Sequence, residues 1–118
     1  MTNEEILKNL QNQKIDIYSA LERFLYNKEM YIKFIKEFTA DASFDKLEEN
    51  LNHKKWEQAF EFAHTLKGIT GNLGMTILFE DFSKMCAYYR KQEYTEMQRI
   101  YIETKSEYTD ICNLINTF

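Results

Sequence analysis

The chain contains no proline, and its glycines are confined to Gly68, Gly71 and Gly74. Nothing outside that short stretch forces a helix to break, while hairpins and sheet corners, which draw on glycine and proline, have almost no material. Valine is also missing, whereas Leu, Ile, Glu, Lys, Met and Gln abound, so intrinsic preference favours helix over strand. The chain therefore reads as all-α.

A length of 118 residues is that of one ordinary domain, taken here as residues 1–118. Apolar residues make up 44% and the aromatics number 9 Phe, 8 Tyr and 1 Trp, enough to fill a core despite a mean hydropathy of −0.56. With 15 basic against 19 acidic residues the net charge is −4, which opposes binding to nucleic acid or an anionic membrane, and neither is expected as a partner. No apolar run approaches the roughly 20 residues that span a bilayer, and Met1, Thr2, Asn3, Glu4 and Glu5 lack the basic-then-apolar order of a signal peptide. A cytoplasmic location is expected. Cys86 and Cys112 have no spacing that suggests zinc or a redox pair and read as small buried hydrophobes.

Apolar spacing predicts helices over about residues 3–10, 16–25 and 30–38, the last with Met30, Tyr31, Phe34, Ile35 and Phe38 on one stripe. Residues 41–51 resume the spacing with Phe44, Leu47 and Leu51, and Asp41 reads equally as a break or a bend. Longer helices are expected over about 54–72, 75–91 and 94–116. In the first of these the wheel puts Phe62, Leu66, Ile69 and Leu73 on the core side. In the next, Met75, Leu78, Phe82, Met85 and Tyr89 step by three and four, and in the last Met97, Tyr101, Thr104, Tyr108, Ile111 and Ile115 do likewise. Short connections between long amphipathic segments specify an up-and-down antiparallel four-helix bundle, with a short additional N-terminal helix lying outside it as a flap.

The clustered glycines need a reason. At about 100° per residue, Glu57, Phe60, Glu61, Lys67, Gly68 and Gly71 fall within about 60° of His64, on the face away from the apolar stripe. A glycine inside a helix costs on the order of 1 kcal/mol relative to alanine. Gly74 is explained as a helix C-terminal residue. Gly68 is not, because helical spacing continues to Leu73, and a bare position one turn above His64 keeps the surface clear for a partner. An exposed imidazole is a competent nucleophile, and a phosphoryl group placed on it needs open space and a nearby cation, which Gly68 and Lys67 supply. The Gly-x-x-Gly-x-x-Gly run has no Gly-Lys-Ser/Thr ending and no preceding strand, so it is not a nucleotide-binding loop; the phosphoryl group must come from another protein.

At Ala63-His64-Thr65-Leu66-Lys67-Gly68, followed by Gly71-Asn72-Leu73-Gly74, the sequence resembles the histidine-containing phosphotransfer (HPt) domain of multistep phosphorelays. The similarity extends outward through Ala20-Leu21-Glu22-Arg23-Phe24, the Met30–Phe38 stripe, Leu47–Leu51, Trp56 and Leu78. The resemblance implies a four-helix bundle that has no kinase or nucleotide site and works as a phosphocarrier. It implies that His64 is the phosphoacceptor, that Lys67 stabilises the phosphoryl charge, and that Gly68 gives docking clearance, with Phe60, Glu61, Thr65 and Gly71 completing the partner surface. The implied partners are receiver domains of response regulators and hybrid histidine kinases, which bring their own Mg²⁺; the chain itself needs no cofactor and is expected to be a monomer. Tyr26 and Asn27 stand where many members have a glycine-containing turn, and Cys86 where an acidic or amide residue is common.

Two rivals share these residues. A bundle that binds partners through the same His64 face without chemistry would have nearly the same sequence. A metal site of the di-iron kind is suggested by the Glu61-x-x-His64 pair, but it requires two such pairs converging on the bundle centre, and here there is one, turned outward, with His53 in a turn.

Overall fold

The computed structural model describes residues 1–118 and contains seven helices and no strand. In chain order they are α1 (Asn3–Asn12), α2 (Ile17–Arg23), α3 (Lys28–Phe38), α4 (Ser43–Asn52), α5 (Trp56–Asn72), α6 (Thr76–Arg90) and α7 (Tyr94–Ile115). None of them is long and apolar enough to cross a membrane.

Side chains start the first three. Thr2 and Glu5 form a reciprocal capping box on α1, the Asp16 carboxylate accepts from the Ser19 N–H at 3.1 Å, and the Asn27 side chain accepts from the Met30 N–H at 3.0 Å. The ends are more uniform. Five helices close with a left-handed residue just past the C-cap and a bond from the following N–H back into the last turn, as in Ile15 N–H to Leu10, Tyr26 to Leu21, Lys55 to Asn50, Met75 to Thr70 and Glu93 to Tyr88. Glycine fills that left-handed position only at Gly74; Lys14, Leu25 with Tyr26, Lys54 and Gln92 fill it elsewhere. A composition with three glycines, all spent on one helix, leaves the other turns to residues that adopt this backbone at a cost.

One hydrophobic core runs through all seven helices, from Ile6, Leu7 and Leu10 on α1 to Ile111 and Ile115 on α7. α5 packs most extensively on α4 and α6, and α6 on α7. Across α4 and α7, Phe44 stacks on Tyr108 (3.7 Å between ring centroids), Lys105 donates to Glu48 (3.0 Å), and Gln98 donates to the Leu51 carbonyl (3.2 Å), so these two helices run in opposite senses. Phe60 against Tyr89 and Gly71 against Phe79 show the same for α5 and α6.

Asp41 is a break: α3 ends at Phe38 with Thr39 as its C-cap, and the Asp41 carboxylate takes the Ser43 N–H at 2.7 Å as α4 begins. Phe38 and Phe44, on either side of it, both pack on Tyr108. The helices expected over about 3–10 and 16–25 are both present as α1 and α2, separated where the chain reverses at left-handed Lys14 and Asp16 caps a new start. However, α1 is not a loose flap, since Ile6, Leu7 and Leu10 are all buried. On α3 the stripe is rotated from expectation. Tyr31, Ile32, Ile35 and Phe38 are buried, while Met30 and Phe34 remain 46% and 43% exposed, the helix being turned so that Tyr31 reaches inward to donate to the Leu73 carbonyl at 2.8 Å.

Candidate functional site

α5 buries Ala59, Ala63, Leu66 and Thr70, and Leu73 follows just past its end. The apolar side expected from Phe62, Leu66, Ile69 and Leu73 is therefore turned by roughly half a residue step on the wheel. Phe62 and Ile69 are only half-buried. The physical reason is that α5 lies between α4 and α6, where the small side chains of Ala59 and Ala63 let both neighbours approach, and the larger ones fill the flanks. His64 stays on the opposite side and is exposed. Of the two histidines only His53 is hydrogen-bonded, its Nδ1 lying 2.8 Å from the Glu49 carbonyl oxygen; the His64 ring is engaged by no protein donor or acceptor.

Below His64 by one turn, Phe60 lies 5.9 Å from the imidazole between centroids. Phe60 is itself held from α6: the Tyr89 ring stacks on it at 4.5 Å and 18°, and the Arg90 guanidinium carbon stands 5.2 Å from its centroid. Tyr89 lies 6.1 Å from Tyr94, which stacks on Trp56 at 5.0 Å, so a half-buried aromatic row leads away from the histidine along the α5 edge. Phe60 is thus a fixed wall rather than a freely exposed contact. Tyr89, expected in the core by its spacing, is diverted to make this wall.

Above His64 the surface opens. A Cβ built at Gly68 meets nothing within 4 Å, whereas one at Gly71 would stand 3.1 Å from the Phe79 ring. Gly68 is bare toward solvent, and the bareness of Gly71 serves the packing of α5 on α6. Gly74 is the left-handed end of the helix at φ +76°, and a side chain there would overlap the Asp16 carbonyl oxygen. Lys67, three residues after His64, is partly buried, and its Nζ stands 5.9 Å from the centroid of the Phe79 ring on α6.

Cys86 is fully buried, and burial pushes its thiol up, with Arg90 and Lys67 acting the other way. It extends no polar group to the histidine ring. Glu57, Glu61 and Thr65 are exposed; the Thr65 hydroxyl donates to the Glu61 carbonyl at 3.1 Å, and burial, then Glu57, Tyr94 and Glu61, raise the Tyr89 phenol. No group of three or more His, Cys, Asp or Glu side chains comes together in a way that could hold a metal ion. His53 caps the end of α4, and Glu61 and His64 point outward rather than into the bundle centre.

The sequence reading left Phe79 and Arg90 out of the site. Only the hairpin register across Leu73–Met75 brings these α6 residues beside the α5 face, and neither has a motif of its own. What the assembled surface offers is one water-exposed nucleophilic ring, a lysine one turn above it whose ammonium lies over Phe79, and bare backbone at Gly68.

Compared with known protein families, residues 29–111 match the family described as the Hpt domain. The match takes in α4 to α6 whole and most of α3 and α7, and leaves α1 and α2 outside it. No curated protein and no solved structure matches the chain.

Proposed function

We propose that this chain, which belongs to the Hpt domain family and so to phosphotransfer in two-component signalling, is a relay intermediate. His64 accepts a phosphoryl group from a receiver-domain aspartate and passes it to an aspartate on another receiver. The observation that carries this reading is the exposed, unengaged His64 ring with open space at Gly68 one turn above it.

In the forward step a ring nitrogen of His64 attacks phosphorus in line. The N–P bond forms, the P–O bond to the aspartate breaks, and the carboxylate leaves with the bonding pair on the partner. Donation is the reverse, with a second aspartate as nucleophile. Lys67 offsets the negative charge that arrives on His64, and Gly68 lets the partner's backbone close on the ring. Phe60, Glu61 and Thr65 frame the docking surface, while Gly71, proposed from the sequence as part of it, is taken up by the packing of Phe79. Mg²⁺ comes with the receiver, and the chain contributes no cofactor or nucleotide site. α4 to α7 are read as an up-and-down antiparallel four-helix bundle, supported by the opposed α4/α7 and α5/α6 pairs and by short turns at 53–55, 73–75 and 91–93. Its partners would be receiver domains of response regulators and hybrid histidine kinases, met by a monomer in the cytoplasm.

Incubation with a phosphorylated receiver domain is expected to transfer acid-labile, base-stable label to the wild-type chain and none to His64→Gln. Label that persists in His64→Gln places the acceptor elsewhere. Wild-type protein that binds phosphorylated receivers yet takes up no label is an interaction module without chemistry.

A further inference from the structure

The helix that carries His64 is weakest at its C-terminal end, where Gly68 and Gly71 lie within the last two turns. Such an end exposes carbonyls that need partners from outside the helix. Their accounting is complete. The Ile69 carbonyl takes the Leu73 N–H, Thr70 takes Met75, Leu73 takes the Tyr31 hydroxyl, and Gly74 takes the Asp16 N–H. The Gly71 carbonyl takes the Gly74 N–H and, at 2.7 Å, Arg23 Nη2. The Asn72 carbonyl has Arg23 alone, from Nε and Nη2, both at 3.2 Å. Arg23 belongs to α2, outside the part of the chain that matches the family, and it forms no ion pair.

We infer that Arg23 is a positioning residue for phosphotransfer: its guanidinium, forked over the Gly71 and Asn72 carbonyls, holds the last turn of α5 in place as a rigid seat for the receiver. The inference rests on the relay reading of His64. A planar fork with several fixed donors suits two adjacent carbonyls, and a cation complements the negative end of a helix dipole. Arg23 is remote from the reacting ring, so it acts through the order of Gly68 to Asn72. A receiver that needs this turn formed binds in proportion to the fraction of molecules in which it is formed.

The test is steady-state and rapid-quench transfer from a receiver domain charged with acetyl phosphate to wild type, Arg23→Ala and Arg23→Lys, with site-resolved amide exchange on the same proteins. If Arg23→Ala leaves the turn formed about one-fifth of the time, KM for the phosphorylated receiver rises about fivefold with kcat unchanged. Exchange is expected to quicken at Gly71 to Met75 and nowhere else, and Arg23→Lys, which keeps the charge but not the fork, should fall between the two. A merely structural role would speed exchange across α4 to α7 and leave the KM-to-kcat split unmoved. Unchanged KM in Arg23→Ala, or a KM rise that accompanies acceleration throughout the bundle, overturns the inference. Absence of label on wild-type His64 removes the relay reading itself, a result distinct from either.

Discussion

Phe79 lies against the Cα of Gly71, 3.1 Å from where a Cβ would stand, while Gly68, one turn earlier on the same face, meets nothing within 4 Å. The two glycines answer to different constraints, one internal and one external. Gly68→Gln should therefore raise the unfolding free energy by about 0.5–1 kcal/mol through better helix propensity, while phosphotransfer from a receiver is lost. Thermal denaturation and transfer rates on one preparation check both halves. Gly71→Ala should instead lower stability, since the Phe79 ring has to yield; equal behaviour of the two variants would contradict the distinction.

Lys67→Ala should slow transfer or shorten the phosphohistidine lifetime by on the order of tenfold or more, the usual worth of one charge-assisted contact to a phosphoryl oxygen. Its Nζ stands 5.9 Å from the Phe79 centroid, a contact whose loss costs little stability, so the melting temperature should barely move. Decay of labelled protein at neutral pH reports the first effect and circular dichroism the second.

Helix ends offer a stability test independent of function. Gln92 holds φ +60° with an ordinary side chain, in the role Gly74 plays at φ +76°. Gln92→Gly is expected to stabilise by about 0.5–1 kcal/mol in denaturant titrations, the relief of left-handed strain outweighing the added freedom of the unfolded chain. Gly74→Ala should cost at least about 2 kcal/mol, since it combines that strain with overlap on the Asp16 carbonyl.

Asp81 gives the pH dependence a sign. Burial raises its carboxyl above the usual 3.8; the Thr104 hydroxyl and Lys84 oppose this, and Glu103 and Glu80 reinforce it. A raised folded value means that the native state holds the proton more tightly than the unfolded chain, so this stabilisation is complete below 3.8 and is lost as pH rises through the folded value. Asp81→Asn should accordingly be more stable than wild type at pH 7, and the gap should close as the pH is lowered toward 3. Urea titrations across that range measure it; a constant gap would assign the effect to packing instead of protonation.

The helical character of every segment and the outward face of His64 were legible in the sequence because both follow from period and composition. The depth of each residue was not. Met30 and Phe34 have the spacing of core residues yet lie at the edge, and Ala59 and Ala63, which carry little apolar weight in a pattern, form the centre of the α5 contact. Periodicity fixes which residues share a face, and only the neighbouring helices fix how close that face is approached.

Residue order alone therefore determined seven helical segments, an imidazole turned from the core, and a cation and a bare position stacked above it, since these depend on local geometry within single helices. Tertiary structure decided what surrounds that imidazole. Phe79, Tyr89 and Arg90 arrive through the register of α6, and Arg23 through the docking of α2 on the end of α5. Contacts between residues far apart in the chain depend on turn geometry and helix rotation, and no spacing rule within one helix carries that information.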